Sequence, residues 1–146
     1  MRQLHLIRHA KSSWDYPSLV DRQRPLNERG QRASALMGAA MSMRLKDTPA
    51  LFVSSAVRAR HTLKGLVSGW PALERARSTT DDRLYTLDAH DLIAWLSEAD
   101  DRLDHMAVIG HNPALSALAR LLYPQLTRSR LPTAAWLWLS FDNVSW

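Results

Sequence analysis

The residues with chemical potential in this 146-residue chain stand directly behind apolar runs. Arg8 and His9 follow the run at 4–7, with Lys11 and Ser12 close behind. Ser54 and Ser55 close the run at 50–55, and Arg58 comes one helical turn later. Gly110, His111 and Asn112 end and follow the run at 105–110. The pooled inventory is two arginines, two imidazoles and several hydroxyls, with no carboxylate in the three clusters. Guanidinium forks and helix N-terminal N–H groups hold phosphate oxygens. A neutral imidazole nitrogen is a nucleophile that accepts a phosphoryl group, and neighbouring arginines disfavour the imidazolium, keeping that nitrogen free near pH 7. Taken singly, a histidine at a strand end is most often structural, and an arginine in a first helical turn is most often solvated. Taken together, the clusters describe a phosphate site with catalytic capacity, and a carboxylate or sulfate site is the alternative.

The clusters meet only if the runs are neighbouring parallel strands, so the elements between them decide the matter. Asn27 reads as an N-cap, and Ala33, Leu36, Met37, Ala40 and Met41 behind it fall on one helical face. Ala59, Leu63, Leu66 and Val67 mark a second helix. A short strand is expected within 73–79. Asp88 with Asp91 three residues on resembles a capping arrangement for a third helix with Leu92, Ile93 and Leu96 inside. Asn112 as N-cap and Pro113 at the first helical position open a fourth, with Leu115, Leu118, Ala119 and Leu122 inside and Pro124 as its stop. The stretch 134–141 alternates as a last strand with Trp136 and Trp138 on one face. Strands alternating with helices predict an α/β fold in three layers, helices on both faces of a mostly parallel sheet. Parallel strands covered on both sides read as continuous apolar runs, and ligands bind beyond their carboxyl ends. That is where the three clusters would lie.

Bulk properties set the outer bounds. The length fits one domain over 1–146, and 46% hydrophobic with 23% charged residues is ordinary for a globular chain. There is no cysteine, which removes disulfides, thiolate nucleophiles and zinc–thiolate sites. The net charge of +5 comes from sixteen arginines against three lysines. They are scattered, only Arg128 and Arg130 lying close together late in the chain, and no aromatic ladder accompanies them. Nucleic acid is therefore not the expected partner. No stretch approaches the ~20 apolar residues of a membrane span, and the N-terminal MRQLHLIRHA has no apolar core of a secretory signal. A cytoplasmic protein without membrane partners is expected.

Four segments, LIRHAKSSWD (6–15), RPLNERG (24–30), SSAVRARHT (54–62) and VIGHNP (108–113), are together similar to the histidine phosphatase superfamily with its phosphoglycerate-mutase-like fold. The resemblance extends to the short bacterial branch of SixA-type phosphohistidine phosphatases. It implies a minimal form of the fold without a large lid insertion. It implies that His9 becomes transiently phosphorylated, that Arg8 and Arg58 are the arginines of the phosphate pocket, and that His111 is its second histidine. Lys11, Ser12, Asp15 and Asn112 are the further substrate-binding candidates, Asp15 standing where several relatives carry a phosphate-contacting asparagine. Asn27 and Gly30 fall in the segment that caps and starts the first helix. The resemblance implies neither a metal nor an organic cofactor.

One departure bears on substrate. Relatives acting on phosphate esters carry a Glu or Asp as proton donor after the second helix, where this chain has Thr86. Asp82 and Asp88 are near in sequence, but Asp88 reads as a helix cap. Expelling an alkoxide needs a proton delivered to the leaving oxygen, worth roughly 10²- to 10⁴-fold in rate. A phosphoramidate such as phosphohistidine protonates its own leaving imidazole. An arginine–histidine pocket without a positioned acid therefore suits N–P better than C–O–P bonds, and the partner expected is a protein bearing phosphohistidine. The alternatives are a small-molecule phosphomonoesterase using Asp15 or Asp82 as acid, and a phosphate-binding protein with weak catalysis.

Overall fold

The computed structural model of the protein describes residues 1–127 and 130–146; Arg128 thus lies outside the described residues. Five strands, β1 (Arg2–Arg8), β2 (Ala50–Ser54), β3 (Ser78–Asp81), β4 (His105–Gly110) and β5 (Trp136–Phe141), form one sheet in the order β3-β2-β4-β1-β5. β1, β2, β3 and β4 run parallel, and β5 is antiparallel to β1. Four helices cover the sheet: α1 (Glu28–Arg44), α2 (Val57–Gly69), α3 (Ala89–Ser97) and α4 (Ala114–Leu122).

The period-2 alternation of the strands splits the core. Leu4, Leu6, Phe52, Met106 and Val108 pack beneath Leu92, Trp95 and Leu96 of α3 and Leu115, Leu118 and Ala119 of α4. Ile7, Leu51, Val53, Ala107 and Ile109 point the other way, toward Met41 of α1 and Ala59 and Leu66 of α2. This is the expected three-layer arrangement, and β1, β4 and β2 are neighbours. Among the described residues no helix is long and apolar enough to cross a membrane.

Three expectations need correction. The inner face of α1 is not the apolar stripe: Leu36 is 72% exposed and Ala40 is exposed, while Gly30, Ser34, Gly38 and Met41 are buried. The helix docks through small residues instead. A Cβ on Gly38 would lie 2.2 Å from the Leu66 carbonyl, and one on Gly69 would lie 1.9 Å from that of Ala35. Close backbone approach of α1 and α2 replaces side-chain interdigitation. The strand expected within 73–79 lies later, at Ser78–Asp81, because residues 71–75 form a 3-10 turn; β3 is a polar edge strand without an apolar signature. Helix α4 begins at Ala114 with Pro113 in the capping position, so Asn112 lies outside it and Pro113 is not its first helical residue.

The other helix starts behave as their sequences suggest. Asn27 accepts from Gly30 N at 2.8 Å and Asp88 from His90 N at 2.9 Å. Asp91 does not complete the capping box; its carboxylate accepts from the Thr86 hydroxyl at 2.6 Å. Ile93 is also turned outward, and Trp95 takes the buried position instead.

Candidate active site

Strand pairing places Arg8 opposite Gly110, and the His9 N–H donates to the Gly110 carbonyl at 3.0 Å. The ends of β1 and β4 are thereby locked side by side, and the His9 and His111 rings lie 5.2 Å apart, centre to centre. β2 delivers Ser54, and the first turn of α2 delivers Arg58. His9, Ser54, Arg58 and His111 are all buried. The three sequence clusters therefore meet at one edge of the sheet.

Hydrogen bonds set the tautomers. The His9 Nδ1–H donates to the Ala10 carbonyl at 2.7 Å, which leaves the Nε2 lone pair uncommitted. Arg58 Nη2 approaches His111 Nδ1 at 3.4 Å, and a guanidinium only donates, so Nδ1 of His111 is an acceptor. Its Nε2–H then donates to Ser54 Oγ at 2.7 Å, and that oxygen also accepts from Ala56 N. Burial, with the arginine charges against it, brings His9 down to about 4. Burial, Arg58 and His9 bring His111 down to about 3. Both imidazoles are neutral at pH 7, and the field around them is positive.

The backing of the site comes from the segment before β5. Arg8 Nη1 donates to the Leu131 carbonyl at 3.0 Å, and the Ala134 N–H donates to the His9 carbonyl at 3.2 Å. Asn112 belongs to this framework. Its amide donates to the same Leu131 carbonyl at 2.8 Å, and its oxygen accepts from Ser116 N and Oγ. These bonds tie the candidate Asn112 to the segment before β5 and to the first turn of α4.

The other candidates are placed as follows. Ser12 is buried and its hydroxyl accepts from Arg24 Nη1 at 2.9 Å. Lys11 is exposed, and its backbone carbonyl accepts from Asn27 N. Asp15 is exposed, its N–H resting on Ser13 Oγ. Asp82 is exposed and pairs with Arg22 at 3.5 Å. Thr86 is turned to Asp91, and Asp88 caps α3.

A carboxylate does reach the site, from a direction the strand-end pattern does not contain. Asp21, in a 3-10 turn between β1 and α1, receives Arg58 twice, Nη1 on its carbonyl at 2.7 Å and Nη2 on Oδ2 at 2.9 Å. The Tyr85 hydroxyl also donates to Oδ2, and Arg24 donates to Oδ1 through Nε and Nη2. Donation from Tyr85 and the arginines outweighs partial burial and holds Asp21 down at about 2. Tyr85 in turn stands edge-on to His111, ring centres 5.4 Å apart. Among the described residues, no group of three or more histidine or acidic side chains is arranged to hold a metal ion.

Arginines and imidazoles gathered at the carboxyl ends of parallel strands, on a three-layer α/β fold, define a candidate anion site. No family model matches the chain. It is 35% identical over 117 residues to an uncharacterised protein of Mycobacterium tuberculosis, spanning 80% of this chain and 69% of the relative. Its fold matches that of the protein histidine phosphatase SixA complexed with tungstate, with a TM-score of 0.82, 23% identity and coverage of 96% and 88% of the two chains. A SixA from Nakamurella multipartitia matches at a TM-score of 0.72 and 25% identity over 94% and 84%. The chain has the histidine phosphatase fold, in the compact form that the SixA structures share.

Proposed function

We propose that the protein is a phosphatase that hydrolyses phosphohistidine, or a similar phosphoramidate, on a protein through a phospho-His9 intermediate. The observation that carries this reading is the state of Asp21, the one carboxylate among the described residues seen to bond to Arg58. Asp21 is ionised down to about pH 2 and its oxygens already accept four donors, so it has no proton to give at neutral pH. The remaining acids considered, Asp15, Asp82 and Asp88, are exposed, and the latter two are committed to Arg22 and the α3 cap. An ester would have to leave as an unprotonated alkoxide, whereas an imidazole protonated on its far nitrogen leaves neutral.

In the first step the Nε2 lone pair of His9 attacks phosphorus as the P–N bond to the substrate ring breaks. The bonding pair goes to the leaving nitrogen. Arg8 and Arg58 hold the equatorial oxygens, where positioning and electrostatics dominate a loose transition state, and His111 joins them as a donor once its bare Nδ1 takes a proton from the incoming phosphate. The Nδ1–H of His9 stays on the Ala10 carbonyl throughout. Water then attacks phosphorus, the P–N bond to His9 breaks, and the water proton leaves with the phosphate. The SixA-type relatives support the phosphohistidine reading in name and fold.

The test is mass-spectrometric mapping of acid-free, rapidly quenched enzyme after mixing with a phosphohistidine protein. Phosphate is expected on His9, and His9→Ala should abolish turnover. Normal phosphohistidine hydrolysis by His9→Ala would sink the assignment. A faster rate on a sugar phosphate than on phosphohistidine would instead favour an ester substrate.

A further inference from the structure

We propose that Arg24 is a third phosphoryl-binding arginine of this pocket, held in place beside Arg58 by Asp21. The inference rests on the pocket's being a phosphoryl site and not on which phosphorylated molecule enters it.

Arg24 sits in the RPLNERG segment, ahead of α1, and no strand end presents it. Its side chain is only 11% exposed although it belongs to a loop. Nη1 donates to the buried Ser12 hydroxyl at 2.9 Å, while Nε and Nη2 reach Asp21 Oδ1 at 3.3 and 3.1 Å. One guanidinium face lies 3.7 Å from the ring of Trp14. Trp14 is itself 71% exposed, an unusual position for an indole, and its ring shields the arginine from solvent on that side. The fourth polar direction is left over: Nη2 bonds to Asp21 alone among the described residues, so one of its two N–H groups has no acceptor. The charge also reaches the nucleophile, because Arg24 is among the groups that oppose protonation of His9.

Asp21 explains how a third cation is tolerated. Two guanidinium groups brought together repel, and a carboxylate between them removes much of that cost. Asp21 places Oδ1 on Arg24 and Oδ2 on Arg58, with Tyr85 fixing the Oδ2 side. It acts through the arginines and is a positioning residue. Arg8, Arg24 and Arg58 then supply three guanidinium groups for the three equatorial oxygens of a transferring phosphoryl group. Ser12 has the matching part of orienting Arg24.

The test uses the intact chain with inorganic phosphate as probe, read by calorimetry, and the His9 imidazole titration, read by NMR. Arg24→Met is expected to weaken phosphate binding about tenfold or more and to move the His9 titration to higher pH, since a positive neighbour is gone. Arg24→Lys should restore the His9 titration but only part of the affinity, because an ammonium lacks the fork. Asp21→Asn should weaken binding through both arginines. Phosphate affinity within twofold of wild type in folded Arg24→Met, with the His9 titration unmoved, would overturn the proposal; Arg24→Lys with undiminished affinity would do so if the Met variant did not fold. Failure of the wild type to bind phosphate would instead overturn the pocket reading, and this inference with it.

Discussion

His5 of β1 and His105 of β4 face each other with their Nε2 atoms 2.8 Å apart. The direction of that bond is set from outside, because Trp136 Nε1–H donates to His5 Nδ1 at 2.8 Å and an indole only donates. His5 must therefore carry its proton on Nε2 and give it to His105, whose Nε2 must be bare. Protonating either ring breaks the chain from Trp136 to His105. Burial, and then His105, hold His5 down at about 3, and burial lowers His105 as well.

Five histidines, His5, His9, His105, His111 and the less buried His61, thus take up protons more readily unfolded than folded. A folded value below the unfolded one means stability that is complete above pH 6.5 and is lost as pH falls below it. By pH 5 each fully depressed histidine costs roughly 2 kcal/mol on a scale of ~1.4 kcal/mol per pH unit. Thermal melts should fall steeply from pH 6.5 toward pH 4.5, and His5→Gln should show a shallower slope. A melting temperature flat across that interval would contradict the burial of these rings.

The α1–α2 seam makes a separate prediction about glycine. A Cβ at Gly38 meets the Leu66 carbonyl at 2.2 Å, backbone against backbone, with nothing flexible to yield. Gly110→Ala, by contrast, meets only the Leu115 side chain at 3.7 Å, an ordinary contact. Gly38→Ala should cost about 1–3 kcal/mol or more, as overpacked sites do, and Gly110→Ala much less. Denaturant midpoints of the two variants measure the difference, and equal midpoints would refute the close approach.

The same seam shows what could be read from sequence and what could not. Arg8, His9 and His111 were legible because each stands at the end of an apolar run, and Arg58 because it comes one helical turn after another; parallel pairing carries those strand ends to a common edge. The docking face of α1 was not, because helix–helix contact through Gly38, Gly65 and Gly69 leaves no apolar stripe, and the stripe that exists holds the exposed Leu36. β3, with the sequence STTD, has no apolar alternation to betray it. Asp21, Arg24 and Tyr85 come from loops and 3-10 turns, where position depends on tertiary contacts and no periodicity points to the pocket. The structural part of Asn112, bonding to Leu131 and Ser116, was likewise hidden, because those partners are distant in sequence or lie on the next helix.

Ser54 offers a test of how the second histidine is oriented. Its hydroxyl is the acceptor that fixes the Nε2–H tautomer of His111 and so turns Nδ1 toward Arg58. Ser54→Ala removes that acceptor and leaves a buried N–H unpaired. A fall in kcat/KM of about 10- to 100-fold is expected, by analogy with the loss of hydrogen-bond partners that orient metal-binding histidines, and Ser54→Thr should recover part of it. Unchanged kcat/KM in Ser54→Ala would show that His111 holds its orientation without this bond.

The pH dependence of turnover follows from the nucleophile. Only neutral His9 has a lone pair on Nε2, and its folded-state value of about 4 means that the neutral form prevails at every pH above that. The acid limb of kcat/KM should therefore lie near pH 4, well below the ordinary histidine value of about 6.5. It must be measured in brief exposures, since the fold itself loses stability over the same interval. Replacing Arg58 by Met removes one of the charges that hold His9 down, so in that variant the limb should move to higher pH even as the rate drops. An acid limb at pH 6 to 7 in the wild type would mean that His9 is not neutral in the resting enzyme, and that another group initiates attack on phosphorus.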